Sequence, residues 1–194
     1  MKFLQKISGQ TALLLVAALA VGIGGTYVAM SDYGTAHLHG AHHANHDEVD
    51  MPGLRGENAS ATESEEIEVL FRNFETITRE VENLPNGIRT FTASKDQAVM
   101  DALVNHSVGM IDRVGQMDDP KIRIQSPTLD IFFLRGDGIT SNVEVTDEGL
   151  LVVQTSDDPE LVSALQTHAA EVTAMAEKGM QAVHEMMMES GTGH

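Results

Sequence analysis

The sequence predicts an α+β fold in which two ββα repeats form a four-stranded antiparallel sheet with two long helices on one face, plus one N-terminal helix. Three observations support this prediction: an internal repeat, a turn sequence between apolar stretches in each copy, and helical spacing of apolar residues afterwards. A sheet and a helical layer bury one core between them, so we expect a single domain over residues 62–190.

The internal repeat aligns residues 77–106 with residues 139–168 at an offset of 62 positions and without a gap. Ten of the thirty aligned pairs are identical, which is far above chance for unrelated segments. Together with the helices that follow, the two copies are expected to span residues 77–117 and 139–188. The identical pairs include Gly87/Gly149, Ser94/Ser156, Asp96/Asp158 and His106/His168.

The first predicted element is a helix that begins at the sequence TESE, where Thr62 and Glu65 are spaced as in a capping box. Its apolar residues keep helical spacing, and we expect it to end near Ile77. Those apolar residues are Ile67, Leu70, Phe71 and Phe74.

Each repeat is expected to open with a β-hairpin. In the second copy NVEV and LLVVQT flank the turn TDEG, which places Gly149 where a positive φ is needed. The first copy has the turn sequence PNG at the same place, ending at Gly87. Both copies therefore predict two antiparallel strands.

A helix is predicted after each hairpin, with Ser94 or Ser156 near the N-cap and an acidic residue in the first turn, where the helix dipole favours it. Between the copies, residues 125–138 (QSPTLDIFFLRGDG) predict a short helix or turn. Its apolar side chains, Leu129, Phe132 and Phe133, are expected to pack inward.

The first 30 residues predict export. Lys2 and Lys6 precede an uncharged apolar run that continues to Met30. A cleaved signal peptide and an uncleaved inner-membrane anchor through residues 11–30 both fit this pattern. Because positive charge stays cytoplasmic, the remaining chain is expected in the periplasm in either case.

Composition excludes several classes of function. The chain has no cysteine, so disulfides, thiolate metal sites, Fe–S clusters and C-x-x-C-H haem attachment are ruled out. All 29 acidic residues follow residue 30, where there are only 10 Lys and Arg, which disfavours nucleic acid as a partner and favours cations. No known catalytic motif is present, so we predict a binding protein and not an enzyme.

Residues 31–61 are predicted to be a flexible, histidine-rich tether, because they lack apolar periodicity. Short histidine-rich tracts bind divalent metal ions, and a flexible chain gives little selectivity among them. The predicted ligands in this tract are His37, His39, His42, His43 and His46.

His106 and His168 lie on the apolar stripes of the two long helices, at matching positions of the two copies. If a pseudo-twofold axis relates the copies, the imidazoles approach each other, and Met110 and Met175 share their stripes. Imidazole and thioether ligands favour copper, especially Cu(I). Two alternatives stay open: the pair holds a haem iron from both sides, or both histidines are hydrogen-bonded core residues of an interaction module.

The C-terminal sequence MAEKGMQAVHEMMMESGTGH adds a second candidate surface. Met180 and His184 fall on one side of a continuous helix, roughly opposite the stripe of His168. Exposed methionines at helical spacing indicate a soft-metal or partner surface.

Residues 65–188 resemble a group of exported bacterial proteins. The likeness lies in the doubled unit G-(apolar)-x-(apolar)-x-S-x-D-(P)-x-(apolar)-x-x-(apolar)-x-x-H, represented here by NGIRTFTASKDQAVMDALVNH and EGLLVVQTSDDPELVSALQTH. This resemblance implies the fold unit and export, and it implies no activity. The sequence as a whole predicts an exported metal-binding protein, copper first, for metal capture, trafficking or tolerance.

Overall fold

An antiparallel sheet and a layer of helices make up the fold. The computed structural model describes residues 6–7, 51–189 and 191 of the chain. The strands are β1 (Lys6–Ile7), β2 (Ile77–Leu84), β3 (Gly87–Ser94), β4 (Thr140–Val145) and β5 (Leu150–Thr155). The α-helices are α1 (Ala61–Arg72), α2 (Gln97–Gln116), α3 (Asp130–Arg135), α4 (Pro159–Lys178) and α5 (Met180–Glu189). The predicted fold class, α+β, is confirmed. Strands β2 to β5 are the four predicted strands of the antiparallel sheet.

The sheet has the order β1-β4-β5-β3-β2, and every neighbouring pair is antiparallel. Its centre is the pairing of β3 with β5, in which Thr92 lies opposite Leu150. The two residues of β1 extend the edge beside β4 and belong to the predicted leader. Residues 1–5 and 8–30 of that leader lie outside the described residues.

Both hairpins turn at the expected places, and glycine is required at each for the same steric reason. Leu84 pairs with Gly87 in the first hairpin, and Val145 pairs with Leu150 in the second. A Cβ at Gly87 would lie 2.0 Å from the carbonyl oxygen of Gln154, and one at Gly149 would lie 2.7 Å from that of Thr92. The hairpins therefore approach each other too closely for any larger residue.

The caps of three helices differ from the predicted ones. Helix α1 is capped by Ser60, whose capping box is completed by Glu63, two residues before the predicted pair. Helices α2 and α4 are capped by Asp96 and Asp158, whose carboxylates accept backbone N–H bonds. A carboxylate accepts such bonds as well as a hydroxyl does, so the aspartates take the position predicted for the serines.

Arg113 connects α2 to the start of α1. Its guanidinium donates to Glu63 at 2.5 Å, to Asp118 at 2.6 Å and to the carbonyl of Asn58 at 2.8 Å. The hydrogen bonds from Arg113, with those of Ser60, outweigh burial and hold the pKa of Glu63 at about 2. This network holds the start of α1 against the C-terminal end of α2.

The folded part begins earlier than residue 62. Leu54 is only 2% exposed, and the backbone of Gly56 forms an antiparallel bridge with Ile122. Residues 51–60 therefore belong to the domain and not to the predicted tether. The tether residues 31–50 lie outside the described part of the chain.

The last predicted helix is interrupted. Helix α4 ends at Lys178, Gly179 adopts φ 58°, and α5 starts at Met180. The stripe of His168 therefore does not continue into α5, contrary to the single continuous helix that the sequence suggested. Among the described residues, no helix has the length and apolar character needed to cross a membrane.

The core between the layers consists of two clusters of buried apolar side chains. The first joins Leu161 and Leu165 of α4 to Ile88 of β3 and Phe132 of α3. The second joins Leu103 of α2 to the strand β5. Phe132 and Phe133 are buried, as expected for the segment between the repeats.

Candidate functional site

A cavity of about 320 Å³ lies between the inner face of the sheet and the helices. Most of its lining is apolar, and its volume falls at the lower end of the range for small-molecule sites, about 300–1,000 Å³. Polar side chains interrupt this apolar surface at nine positions: Arg79, Thr90, Thr92, His106, Ser107, Gln125, Ser126, Gln154 and His168. Apolar cavities with few polar groups are the usual form of a ligand site.

His168 enters the cavity from α4, with its Nδ1 side turned towards Glu171. The distance from Nδ1 of His168 to Oε2 of Glu171 is 3.5 Å, which is long for a hydrogen bond, so the attraction is mainly electrostatic. The other carboxylate oxygen accepts bonds of 2.8 Å from the hydroxyls of Ser126 and Thr128. Phe132 packs its ring edge-on to the imidazole, at 5.8 Å between centroids.

Glu171 is ionised in this environment. Burial by itself would raise its pKa, but the interaction with His168 and the bonds from Ser126 and Thr128 outweigh burial and lower the pKa. An anionic carboxylate beside Nδ1 favours the tautomer that carries its proton on Nδ1. The free electron pair of His168 is then on Nε2, the nitrogen that can bind a ligand.

His106 enters the same cavity from α2 and is half-buried. Burial lowers its pKa to about 4, and the nearby charge of His168 lowers it in the same direction. Its Nδ1 is buried and has no hydrogen-bond partner among the described residues. His106 is therefore a neutral imidazole at physiological pH, which is the form that coordinates metal.

Met110 and Met175 line the cavity that holds the two histidines. The structure thus brings four of the predicted metal-binding side chains to one place. Within residues 51–189, no group of three or more His, Asp and Glu side chains is placed to hold a metal ion. A metal site here would therefore depend on the thioethers.

Two other predicted ligands lie elsewhere. Met180 and His184 belong to α5 and do not line the cavity; His184 is exposed and Met180 is half-buried. The break at Gly179 separates them from the helix that bears His168. The tract His37, His39, His42, His43 and His46 lies outside the described residues.

Sequence reasoning missed two charged residues of the site. Arg79 lies between Ile77 and Val81 on the same face of β2. An arginine on the face that carries apolar residues was the signal in the sequence that could have identified it. Glu171 follows His168 by three residues, the spacing at which helical side chains meet. Both signals depend on knowing which face is buried.

The arrangement offers two imidazoles, two thioethers and one cation around a mostly apolar space. It is suited to holding a ligand. Comparison of the chain with family models, with curated proteins and with solved structures finds no match.

Proposed function

We propose that this protein is a non-catalytic copper-binding protein that holds Cu(I) in the central cavity through His106 and His168. The observation that supports it is that two half-buried imidazoles line one cavity, and that the buried Nδ1 of His106 has no hydrogen-bond partner among the described residues. Buried polar groups are normally hydrogen-bonded, so an unpartnered imidazole nitrogen on an apolar cavity points to a missing ligand.

The rest of the site has the chemistry of a soft-metal centre. Met110 and Met175 supply thioethers, which prefer Cu(I), and the apolar lining excludes water that would favour a harder ion. Glu171 orients His168 in the way that carboxylates orient metal-binding histidines. The strongly negative chain attracts cations to the protein.

In this proposal the chain is exported to the periplasm, free or anchored to the inner membrane, and acts in copper capture, trafficking or tolerance. The histidine tract of residues 37–46 captures ions with low selectivity, and the cavity retains one of them. Transfer from an open tract to an enclosed site adds selectivity that the tract lacks.

Haem is the second candidate, and the apolar lining with two histidines favours it. A space of about 320 Å³ exceeds what a single ion occupies, and its apolar lining suits a porphyrin. His106 and His168 would then be the axial ligands.

Competition with a chromophoric Cu(I) chelator under anaerobic conditions tests the proposal. The full chain is used with its five tract histidines replaced by Asn, so that only the domain binds tightly. His106→Leu and His168→Leu should each abolish the tight site, and His184→Leu, at an exposed histidine outside the cavity, should keep it.

Equal Cu(I) affinity in all three variants would contradict the copper site. Addition of haemin to the same metal-free protein separates the second candidate. A Soret band that both cavity variants lose would assign the histidines to haem. If the protein binds neither Cu(I) nor haem, His106 and His168 are core residues.

A further inference from the structure

Arg79 is a largely buried cation with no anionic partner among the described residues. It projects from β2 onto the cavity, and its Nη1 donates a hydrogen bond to the hydroxyl of Thr92 at 2.7 Å. Its Nε is buried and has no partner among the described residues. Burial lowers the pKa of Arg79 to about 10, so the guanidinium stays charged at physiological pH.

Such a charge is costly to enclose. Other arginines of the domain have carboxylate partners: Arg113 pairs with Glu63, and Arg135 pairs with Asp158 and Glu160. Among the described residues, no charged group offsets the burial of Arg79. Buried ions are otherwise paired, because the loss of hydration is recovered only through a counter-charge. In a chain with 29 acidic residues, an unpaired interior arginine points to a counter-ion from outside.

The sheet beneath the cavity supplies hydroxyls beside this charge. Thr92 lies directly opposite Arg79 in the pairing of β2 with β3, and Thr90 lies two residues along on the same face. Both threonines line the cavity, although they are only 4% and 5% exposed. Because Thr92 accepts from Arg79, its own hydrogen is free to bond an anion. We call Arg79, Thr90 and Thr92 the polar floor.

Most of the remaining wall of the cavity is apolar. Facing the sheet are side chains of α1, α2 and α4, among them Leu70, Ile111 and Val172. A small inorganic anion would occupy the polar floor and leave most of the 320 Å³ unfilled. A ligand that matches the whole cavity has an anionic group at one end and a hydrocarbon body at the other.

We propose that the cavity binds an apolar organic acid, whose anionic group pairs with Arg79 and whose hydrocarbon body lies against the helices. Arginine presents a planar fork of donors that matches a carboxylate, and the hydroxyls of the polar floor add donors beside it. This site uses the sheet side of the cavity and does not rest on the copper site, whose ligands come from the helices.

Calorimetric titration of the metal-free full chain with decanoate and with decanol tests the proposal. The two molecules have the same hydrocarbon chain and differ in the anionic group. Wild-type protein should bind decanoate at least about tenfold more tightly than decanol, because only the anion pairs with Arg79. Arg79→Gln should remove this preference while decanol binding stays unchanged.

Arg89→Gln is the matched control. Arg89 is on β3 with a side chain 52% exposed, and it lies 3.8 Å from Glu82. This variant should bind both molecules like the wild type, and Arg79→Lys should retain part of the preference. Equal wild-type affinity for decanoate and decanol, or no binding of either, would overturn the proposal even if Arg79→Gln fails to fold.

Discussion

The carboxylate of Glu171 lies 3.5 Å from Nδ1 of His168, one helical turn away on α4. The hydroxyls of Ser126 and Thr128 hold the other oxygen of the same carboxylate at 2.8 Å. A fixed anion beside Nδ1 directs Nε2 of the imidazole to a ligand, which is the arrangement found behind metal-binding histidines.

Glu171→Gln should weaken Cu(I) binding about 10–100-fold, because an amide no longer selects the tautomer that leaves Nε2 free. Glu177→Gln is the control, since Glu177 is an exposed carboxylate on the same helix. Chelator competition on the chain without tract histidines measures both. If the two variants bind Cu(I) equally well, Glu171 has no role in metal binding.

His106 should give the metal-free protein a defined dependence of stability on pH. Its pKa falls from 6.5 to about 4 on folding, so the unfolded chain takes up the proton first as the pH drops. This stability is complete above pH 6.5 and is lost as the pH falls from 6.5 to 4, by about 3 kcal/mol in total.

Denaturant titrations at a series of pH values measure this effect. His106→Leu should flatten the slope between pH 6.5 and 4.5, and His184→Leu should leave it unchanged. Below pH 4.5 Glu63, with a pKa of about 2, adds its own loss in both variants. An unchanged slope in His106→Leu would show that the imidazole is not buried in the neutral form.

Two glycine substitutions test the helix break that separates α4 from α5. A Cβ at Gly179 would lie 2.8 Å from the ring of Phe74, and φ there is 58°. Gly179→Ala should therefore lower the free energy of unfolding by about 1–2 kcal/mol. Gly109→Ala, inside α2 with open space around it, should raise it by about 0.5–1 kcal/mol. Thermal and denaturant unfolding measure both, and a fully stable Gly179→Ala would contradict the break.

Much of the fold follows from the sequence because its signals are local. The turns before Gly87 and Gly149 mark both hairpins, and acidic residues mark the starts of both long helices. The errors are local too. The capping box begins at Ser60, two residues before TESE, and Gly179 ends α4 where apolar spacing alone suggested continuation.

The site was predicted in part. Periodicity placed His106 and His168 on the inner faces of their helices, and both line the cavity. Periodicity does not tell how far the helices stand from the sheet, so the cavity was not foreseen. The role of Arg79 depends on the same spacing, because a tightly packed interior would leave no room for a charged side chain and a ligand.

X-ray absorption at the copper edge, recorded on the Cu(I)-loaded chain without tract histidines, shows directly which atoms bind the ion. We expect one bound ion that is coordinated by both imidazole nitrogen and thioether sulfur. The nitrogen contribution should fall in His106→Leu and in His168→Leu, and the sulfur contribution in Met110→Leu or Met175→Leu. Copper surrounded only by oxygen and nitrogen, with a spectrum that none of these substitutions changes, would contradict the proposed copper site.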